Sequence, residues 1–206
     1  YTPVTGIWQT VWLEPVSDKH IENIKFTPDI DNQLIEVQAL TANAQLGDVV
    51  EVTVKDAGNE VLTAKFAADQ KAEIFIEDPK LWSPESPHLY RTTIKLISGD
   101  QVHDQVESYF AMRKISMKRD DKGIVRMQLN NKDYFHFGPL DQGWWPDGLY
   151  TAPTDEALRY DIEKTKEFGF NMIRKHVKVE PARWYTHADE LGVLVWQDMP
   201  NGDAQK

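Results

Sequence analysis

The sequence predicts a mainly β fold, in which an immunoglobulin-like β-sandwich is followed by an incomplete (β/α)8 barrel that holds the first three βα units. Two observations predict it. Residues 1 to about 119 alternate between apolar and polar side chains with a period of two, and strand-like and helix-like segments alternate from residue 133 onward. Only residues 131–206 carry the second pattern, whereas a complete barrel needs about 250 residues. We therefore expect a truncated barrel.

The sandwich is predicted from seven short segments, each of which places its apolar residues on one face. The breaks between them are rich in Gly, Asp, Asn and Pro, which favour turns. Seven strands at about ten-residue spacing are typical of an antiparallel sandwich. The segments are 21–26, 34–40, 49–54, 61–66, 72–77, 89–97 and 105–115.

The α/β part follows a small hairpin that is predicted around Asn130 and Asn131. Three strands are predicted after the turn of this hairpin, and the intervals between them are long enough for helices. Such alternation favours parallel strands with right-handed crossovers. The three strands are predicted within 134–137, 171–176 and 193–198.

Two helices are predicted between these strands. Thr154 has the side chain of an N-cap and is followed by two acids, which the helix dipole favours in a first turn. Gly169 stands where the first helix ends, and the second helix begins at Pro181 and ends at Gly192. The residues expected to share the apolar face of the first helix are Leu158, Ile162 and Phe168.

Composition excludes several classes of function. The net charge of −10 argues against a general affinity for nucleic acid or for anionic membranes. The chain has no cysteine, which excludes disulfides and thiolate metal sites. It also has no apolar run long enough to span a bilayer. No phosphate-binding glycine motif, HExxH motif or GxSxG motif is present, so we predict no cofactor and no metal site.

The amino terminus lacks the basic start and apolar middle of a signal peptide and has no initiating Met. We therefore expect a processed or excised chain that does not include any original targeting signal. The absence of cysteine suits the cytoplasm and the periplasm alike, so the compartment stays unknown. A periplasmic or extracellular location is the favoured expectation.

Candidate site residues follow from the rule that parallel α/β units place functional residues just beyond the carboxyl ends of their strands. This rule selects the loop GPLDQGWWPDGLYTAP at 138–153, the end of the second strand, and residues 197–201 after the third. The side chains selected are Trp144, Trp145, Asp147, Arg174, His176 and Asp198.

Two interpretations of the tryptophan pair stay open. Flat rings suit the apolar faces of a pyranose, and a neighbouring carboxylate such as Asp147 serves its hydroxyl groups. Alternatively, Trp144 and Trp145 pack beneath the loop. Adjacent rings point apart, so we expect at most one of them to face a ligand.

Arg174 and His176 stand two residues apart at a strand end, so we expect them to point the same way. Arginine offers a rigid fork of donors for a carboxylate or paired hydroxyls, and histidine offers a donor and an acceptor. The alternative is a structural ion pair between Arg174 and Asp198. Retaining glycoside hydrolysis needs two carboxyl groups about 5–5.5 Å apart, and the spacing of Asp141, Asp147 and Asp198 places no two of them so.

Several motifs resemble glycoside hydrolase family 2, which includes β-galactosidases, β-glucuronidases and β-mannosidases. TGIWQTVWLE resembles the closing strand of its jelly-roll sugar-binding domain, and LWSPESPHLYRTTIKL resembles a signature of its immunoglobulin-like middle domain. ESYFAMRKI resembles the last sandwich strand, with Ala111 in place of the usual Gly. LNNKDYFHFG, NMIRKH and LGVLVWQDMP are similar to the start of its barrel.

The resemblance implies three parts, namely residues 1–15 as the tail of the jelly roll, 16–119 as the sandwich and 120–206 as the start of the barrel. It implies that both catalytic glutamates lie beyond residue 206, so no catalytic residue is expected in this chain. Arg174 matches the strand-two arginine beside the substrate, and Asp198 matches the strand-three acid. His176 stands one residue nearer to Arg174 than the histidine of the usual R-x-x-H-x-P pattern.

We therefore expect a part of a retaining hydrolase of β-linked glycosides that is inactive by itself and whose parent takes a carbohydrate substrate. We also expect the truncated barrel to expose apolar surface and to self-associate. The alternative is a non-catalytic sandwich module that binds carbohydrate or a protein. The coding sequence after Lys206 separates the two, since a stop codon there favours the module.

Overall fold

The computed structural model describes residues 3–200, which fall into two compact units. The larger unit comprises residues 13–82 and 88–133, and the other comprises residues 3–12, 83–87 and 134–200. No helix among the described residues is long and apolar enough to cross a membrane.

The larger unit is built on a β-sandwich of seven strands, which confirms the prediction from alternating hydrophobicity. One antiparallel sheet has the order β1-β2-β5, and the other has the order β4-β3-β6-β7. The strands are β1 (His20–Asp29), β2 (Leu34–Ala42), β3 (Val49–Asp56), β4 (Asn59–Ala67), β5 (Lys71–Phe75), β6 (Tyr90–Ser98) and β7 (Gln101–Phe110).

The sandwich core consists of the inward-facing residues of both sheets. In β3, Val50, Val52 and Val54 are fully buried, and the residues between them are partly exposed. Tyr90 stacks on Phe110 with ring centroids 5.2 Å apart. Alternation with a period of two therefore places one face of each strand in the core, as the sequence pattern requires.

A third antiparallel sheet in the larger unit has the order β10-β9-β8, with β8 (Ile115–Arg119), β9 (Val125–Leu129) and β10 (Lys132–Asp133). Asn130 and Asn131 both have positive φ at its turn, which a two-residue hairpin turn of type I′ requires. The expectation of one strand over 105–115 is wrong, because the chain leaves the sandwich after Phe110. Met112 there is fully buried and forms a bridge with Leu81.

The smaller unit contains a parallel sheet in the order β11-β12-β13, with β11 (Leu140–Asp141), β12 (Met172–Lys175) and β13 (Leu194–Gln197). The helices α1 (Asp155–Glu167) and α2 (Ala182–Leu191) form the two crossovers. Leu140, Arg174 and Trp196 are register partners across the three strands. Sequential strand order with one helix between successive strands is the predicted βαβ arrangement.

The expectation that the first parallel strand lies within 134–137 is wrong, since the structure places it at Leu140–Asp141. Asn171 takes over the hydrogen bonding of the earlier segment with its side chain, which accepts from Phe137 N–H and donates to the Phe135 carbonyl, both at 2.8 Å. Gly138 lies directly against the Met172 backbone. The chain therefore enters the ladder only after this close approach.

Both helix caps follow the sequence closely. Thr154 Oγ1 accepts the Ala157 N–H at 3.1 Å, and Gly192 ends α2 in the left-handed conformation with φ of 79°. Two details differ. Pro181 is the N-cap rather than the first helical residue, and Phe168 lies after the last turn of α1 and is 74% exposed, so it does not share the buried face.

The two helices pack on the same face of the parallel sheet. Their buried residues form one cluster with Ile173 of β12 and with the partly buried Val195 of β13. On the opposite face, the side chains of Leu140, Arg174 and Trp196 are 53%, 48% and 38% exposed. The helices thus cover one face of the described sheet, and the other face is partly exposed at these three residues.

Candidate functional site

The carboxyl edge of the parallel sheet holds an arginine–aspartate pair. Arg174 Nε lies 3.2 and 3.1 Å from the two carboxylate oxygens of Asp198, and one terminal nitrogen lies 2.9 Å from Oδ2. Arg174 remains 48% exposed and Asp198 26% exposed. The fork geometry fixes the guanidinium and leaves part of it open to solvent, where it can donate to hydroxyl or carboxylate oxygens.

His176 follows β12 and is half-buried. Its backbone N–H donates to the Asp141 carbonyl at 2.8 Å, which continues the ladder past the end of the strand. Within the described range 3–200, no hydrogen bond or ion pair joins its ring to Arg174 or Asp198. The structure therefore brings Arg174 and Asp198 together and leaves the His176 ring apart from their contact.

The aromatic loop, defined here as residues 142–150, carries the other candidates. Trp145 and Leu149 exchange both backbone hydrogen bonds at 2.8 and 3.0 Å, which closes a small turn with exposed Asp147 in it. Trp145 packs against the helix core. Trp144 contacts Tyr150 edge to face, with ring centroids 5.6 Å apart. The two adjacent rings thus have different surroundings, and Trp144 lines two clefts.

Two clefts meet at Trp144. The larger has a volume of about 540 Å³ and is lined by residues that include Asp141, Gln142, Trp144, Asp161 and Lys164. The smaller, of about 360 Å³, lies between residues 3–6 and the rings of Trp8, Trp144 and Tyr150. Aromatic walls beside a few convergent polar groups are common in small-molecule sites.

A buried charge cluster lies beneath the aromatic loop, and it consists of Asp141, Lys175, Lys178 and Glu180. Lys175 and Lys178 are each 1% exposed, and Glu180 is 4% exposed. Lys175 Nζ lies 2.5 Å from Asp141 Oδ2 and 2.9 Å from Glu180 Oε1, and Lys178 Nζ lies 3.0 Å from the same Glu180 oxygen. Two cations thus balance two anions, which buried charges require.

Sequence reasoning missed this cluster because lysines are almost never fully buried. The signal was the placement of Lys175 inside a strand that is otherwise apolar on its helix-facing side, followed by Lys178 and Glu180. Only the register shows that Lys175 lies opposite Asp141, which is 34 residues earlier in the chain.

Burial sets the titration of several groups around the cluster. It lowers the pKa of the Lys178 ammonium, although the Glu180 carboxylate acts in the opposite direction. Burial and then the nearby Asp141 carboxylate raise the pKa of Asp161. Burial also raises the pKa of Tyr185, whose hydroxyl lies 2.5 Å from Gln197 Oε1 and accepts the Glu180 N–H at 3.2 Å.

The carboxylates at this edge are engaged in structural pairs. Asp141 accepts from Lys175 and from the Gly143 N–H, Glu180 accepts from both lysines, and Asp198 pairs with Arg174. Across residues 3–200, no three acidic or histidine side chains are grouped as ligands for a metal ion. The arrangement can bind and orient a polar, partly flat ligand, and the carboxylates of Asp141, Glu180 and Asp198 are engaged by cationic side chains.

The sandwich region decides the family. Residues 11–113, half of the chain, match the family model for glycosyl hydrolases family 2. The chain belongs to this family. Its family 2 relatives extend the likeness to the α/β part, since alignments with them cover about 95% of the chain.

A putative β-glucuronidase of Formosa agariphila is 28% identical over 211 residues, which span 96% of this chain and 19% of that protein. A β-galactosidase of Thermoanaerobacter pseudethanolicus is 24% identical over 210 residues, with 95% and 27% covered. The crystal structure of a β-glucuronidase from Parabacteroides merdae matches with a TM-score of 0.76 at 25% identity, and the match covers 90% of this chain and 25% of that one. The family 2 chain thus spans about a fifth to a quarter of the length of these relatives.

Proposed function

We propose that this chain is part of a longer retaining glycoside hydrolase that acts on β-linked glycosides. The observation that carries the proposal is the carboxyl edge of the parallel sheet, where a solvent-accessible arginine fork on Asp198 lies in the same unit as the aromatic loop. Barrel enzymes build their active sites at this edge. The names of the relatives, β-glucuronidase and β-galactosidase, support the reaction class.

The proposal includes the organisation of the chain. Residues 1–15 are assigned to the tail of a sugar-binding domain, 16–119 to an immunoglobulin-like sandwich and 120–206 to the start of a barrel. The division of seven strands into sheets of three and four supports an immunoglobulin-like topology. The sequential strand order and the position of both helices on one face support a barrel with its first three strands.

In this proposal the chain contributes binding groups and no catalytic carboxylates. Arg174 and Asp198 contact sugar hydroxyl or carboxylate groups, and Trp144 provides an apolar ring face. For His176, Trp145 and Asp147, the assignment to the sugar site stays a prediction. The nucleophile and the acid/base, which a retaining hydrolase needs on the two sides of the glycosidic bond, come from the part of the protein beyond this chain.

Hydrolysis of nitrophenyl β-glycosides tests the proposal. We expect no turnover by the 206-residue chain, and turnover by the polypeptide that the same gene encodes when it continues through the remaining strands. Release of nitrophenol by the 206-residue chain alone contradicts the proposal. A stop codon directly after Lys206, together with sugar binding by this chain, establishes the non-catalytic module instead.

The role of Arg174 is tested in the longer polypeptide with Arg174→Ala. We expect kcat/KM to fall by about 100-fold, because a misplaced or missing positioning group costs this much. Arg126→Ala is the matched control, since Arg126 is also 48% exposed and also paired with an aspartate, Asp120, at 2.9 Å. Equal losses in the two variants contradict a sugar-binding role for Arg174.

A further inference from the structure

Lys178 has surroundings that charge neutralisation does not explain. Besides Glu180, its ammonium donates to the Gly143 carbonyl at 2.8 Å. It also lies 4.5 Å from the centroid of the Tyr150 ring and 5.6 Å from that of Trp8. A buried ammonium needs partners for its three donors, and here two of its contacts, Gly143 and Tyr150, belong to the aromatic loop.

The backbone of the aromatic loop lies directly on this ammonium. A Cβ atom at Gly143 would come within 2.6 Å of Glu180 Oε1 and 2.7 Å of Lys178 Nζ, and Gly143 has a φ of +66°. Glycine is therefore required on two grounds, the left-handed backbone and the close approach.

The contacts of Lys178 fall near the two ends of the aromatic loop. Gly143 directly precedes Trp144, and Tyr150 contacts the Trp144 ring edge to face. Between them, the backbone of the loop closes on itself through the Trp145–Leu149 pair. One buried ammonium thus connects the start of the loop, its end and the ring that lines both clefts.

We propose that Lys178 is a positioning residue that holds the aromatic loop in place and thereby fixes the orientation of Trp144. The ammonium acts on the loop through a hydrogen bond to Gly143 and a cation–π contact with Tyr150. The claim that Trp144 in this orientation contacts a sugar rests on the proposed function. The claim that Lys178 keeps the loop ordered does not.

Amide hydrogen exchange in the 206-residue chain tests the proposal with Lys178→Met, which keeps the aliphatic stem and removes the ammonium. We expect exchange at residues 142–150 to rise at least tenfold, with unchanged exchange in α1 and α2. Lys166→Met is the control, because Lys166 is a partly buried lysine of the smaller unit that also donates to backbone carbonyls, those of Pro84 and Leu191 at 2.8 and 2.5 Å. It should leave the loop unchanged.

Two outcomes overturn the proposal. Unchanged exchange at 142–150 in Lys178→Met shows that the ammonium does not hold the loop. A uniform rise in exchange across the smaller unit, with the same rise in Lys166→Met, shows a role in general stability only.

If Lys178→Met does not fold, Tyr150→Leu and Tyr150→Phe test the proposal instead, because both variants keep every charge. Tyr150→Leu removes the ring and should raise amide exchange at residues 142–150, whereas Tyr150→Phe keeps the ring and should not. Equal exchange in the two variants overturns the proposed role of the cation–π contact.

Sugar binding is measured separately, by titrating the chain with methyl β-D-glucuronide and methyl β-D-galactoside and following the Trp144 indole N–H by NMR. If neither sugar shifts this signal while Lys178→Met still loosens the loop, the sugar site is wrong and the positioning role stands. If the sugars shift the signal equally in wild type and Lys178→Met, Trp144 is not positioned by Lys178 and the inference fails.

Discussion

Buried charges dominate the smaller unit at the scale of single residues. Lys175 and Lys178 lie beneath the aromatic loop with less exposure than most apolar residues of the unit, and each has a carboxylate partner within 3.0 Å. Removing one member of such a set leaves an uncompensated charge in a dry environment, which costs several kcal/mol in known cases. The cluster is therefore a specific and fragile element of the fold.

Asp161 lies near this cluster, and we expect its ionised carboxylate to lower the stability of the folded chain at neutral pH. Its raised pKa means that the folded chain binds the proton more tightly than the unfolded chain. Stability is therefore lost as the pH rises from the ordinary value of 3.8 through the raised pKa. We predict that Asp161→Asn stabilises the chain at pH 7 by less than about 1 kcal/mol.

Urea unfolding of Asp161→Asn at several pH values measures this effect, which should vanish when the pH is below 3.8. Asp147→Asn is the control, since it removes the same charge from an exposed position in the loop. A lower stability of Asp161→Asn at pH 7 would show that the attraction of Lys175 outweighs the cost of burial and the repulsion from Asp141, which contradicts the prediction.

Gly143 should be more sensitive to substitution by alanine than Gly169, another glycine of the smaller unit with positive φ. Gly143→Ala meets both an unfavourable φ and the Lys178 and Glu180 side chains, whereas Gly169 has a φ of +84° with nothing within 4 Å of an added Cβ. We predict that Gly169→Ala costs about 1 kcal/mol and that Gly143→Ala costs at least about 1 kcal/mol more. Chemical denaturation of both variants measures the difference, and equal costs would show that the cluster yields easily.

Loop anchors matter at the scale of elements. Asp48, just before β3, accepts from Lys19 Nζ at 2.7 Å, from the Ser98 hydroxyl at 2.6 Å and from the Gln45 N–H at 2.8 Å. It thereby connects the start of β3 to the chain before β1 and to the end of β6. The hydrogen bonds from Lys19 and Ser98 hold the pKa of this carboxyl well below its ordinary value of 3.8.

This depressed pKa gives the sandwich an acid-sensitive element. The stabilising contribution of Asp48 is fully present above the ordinary value of 3.8 and is lost as the pH falls below it. We predict that Asp48→Asn lowers stability at pH 7 and flattens the decline of stability in acid. Unfolding curves over a range of acidic pH measure both effects, with Asp100→Asn in the turn between β6 and β7 as control. An unchanged slope in Asp48→Asn would contradict the assignment.

Exposed apolar surface is the main feature at the scale of the whole molecule. In the smaller unit, Phe135, Phe168 and Met199 are 82%, 74% and 67% exposed, and Leu140 and Trp196 lie on the uncovered face of the parallel sheet. Surface of this kind marks interaction sites or aggregation-prone regions. It also agrees with the proposal that further strands and helices of the parent protein pack here.

We therefore predict that the 206-residue chain self-associates as its concentration rises, which sedimentation velocity measures. Phe168→Ser and Phe135→Ser together should weaken this association at least threefold. Leu46→Ser is the control, because Leu46 is fully exposed in the sandwich unit. A chain that stays monomeric at high concentration would count against an uncovered barrel wall.

Periodicity in the sequence determined most of the fold. The seven sandwich strands, the asparagine turn at Asn130–Asn131, the Thr154 cap and the Gly192 end of α2 all follow from local rules on hydrophobic alternation and backbone conformation. The family motifs likewise lie within continuous segments. These features depend on residues that are close in the sequence, so they can be predicted from it.

The tertiary structure alone decided which charges meet. Arg174 could have faced solvent or Asp198, and the sequence did not show which carboxylates would pair with Lys175 and Lys178. Register across β11, β12 and β13 places Asp141, Lys175 and Gln197 in one row. The true start of β11 also depends on how Asn171 and Met172 meet residues 135–138. Periodicity shows which face of a strand is buried, whereas the pairing of long charged side chains from distant segments depends on packing in three dimensions.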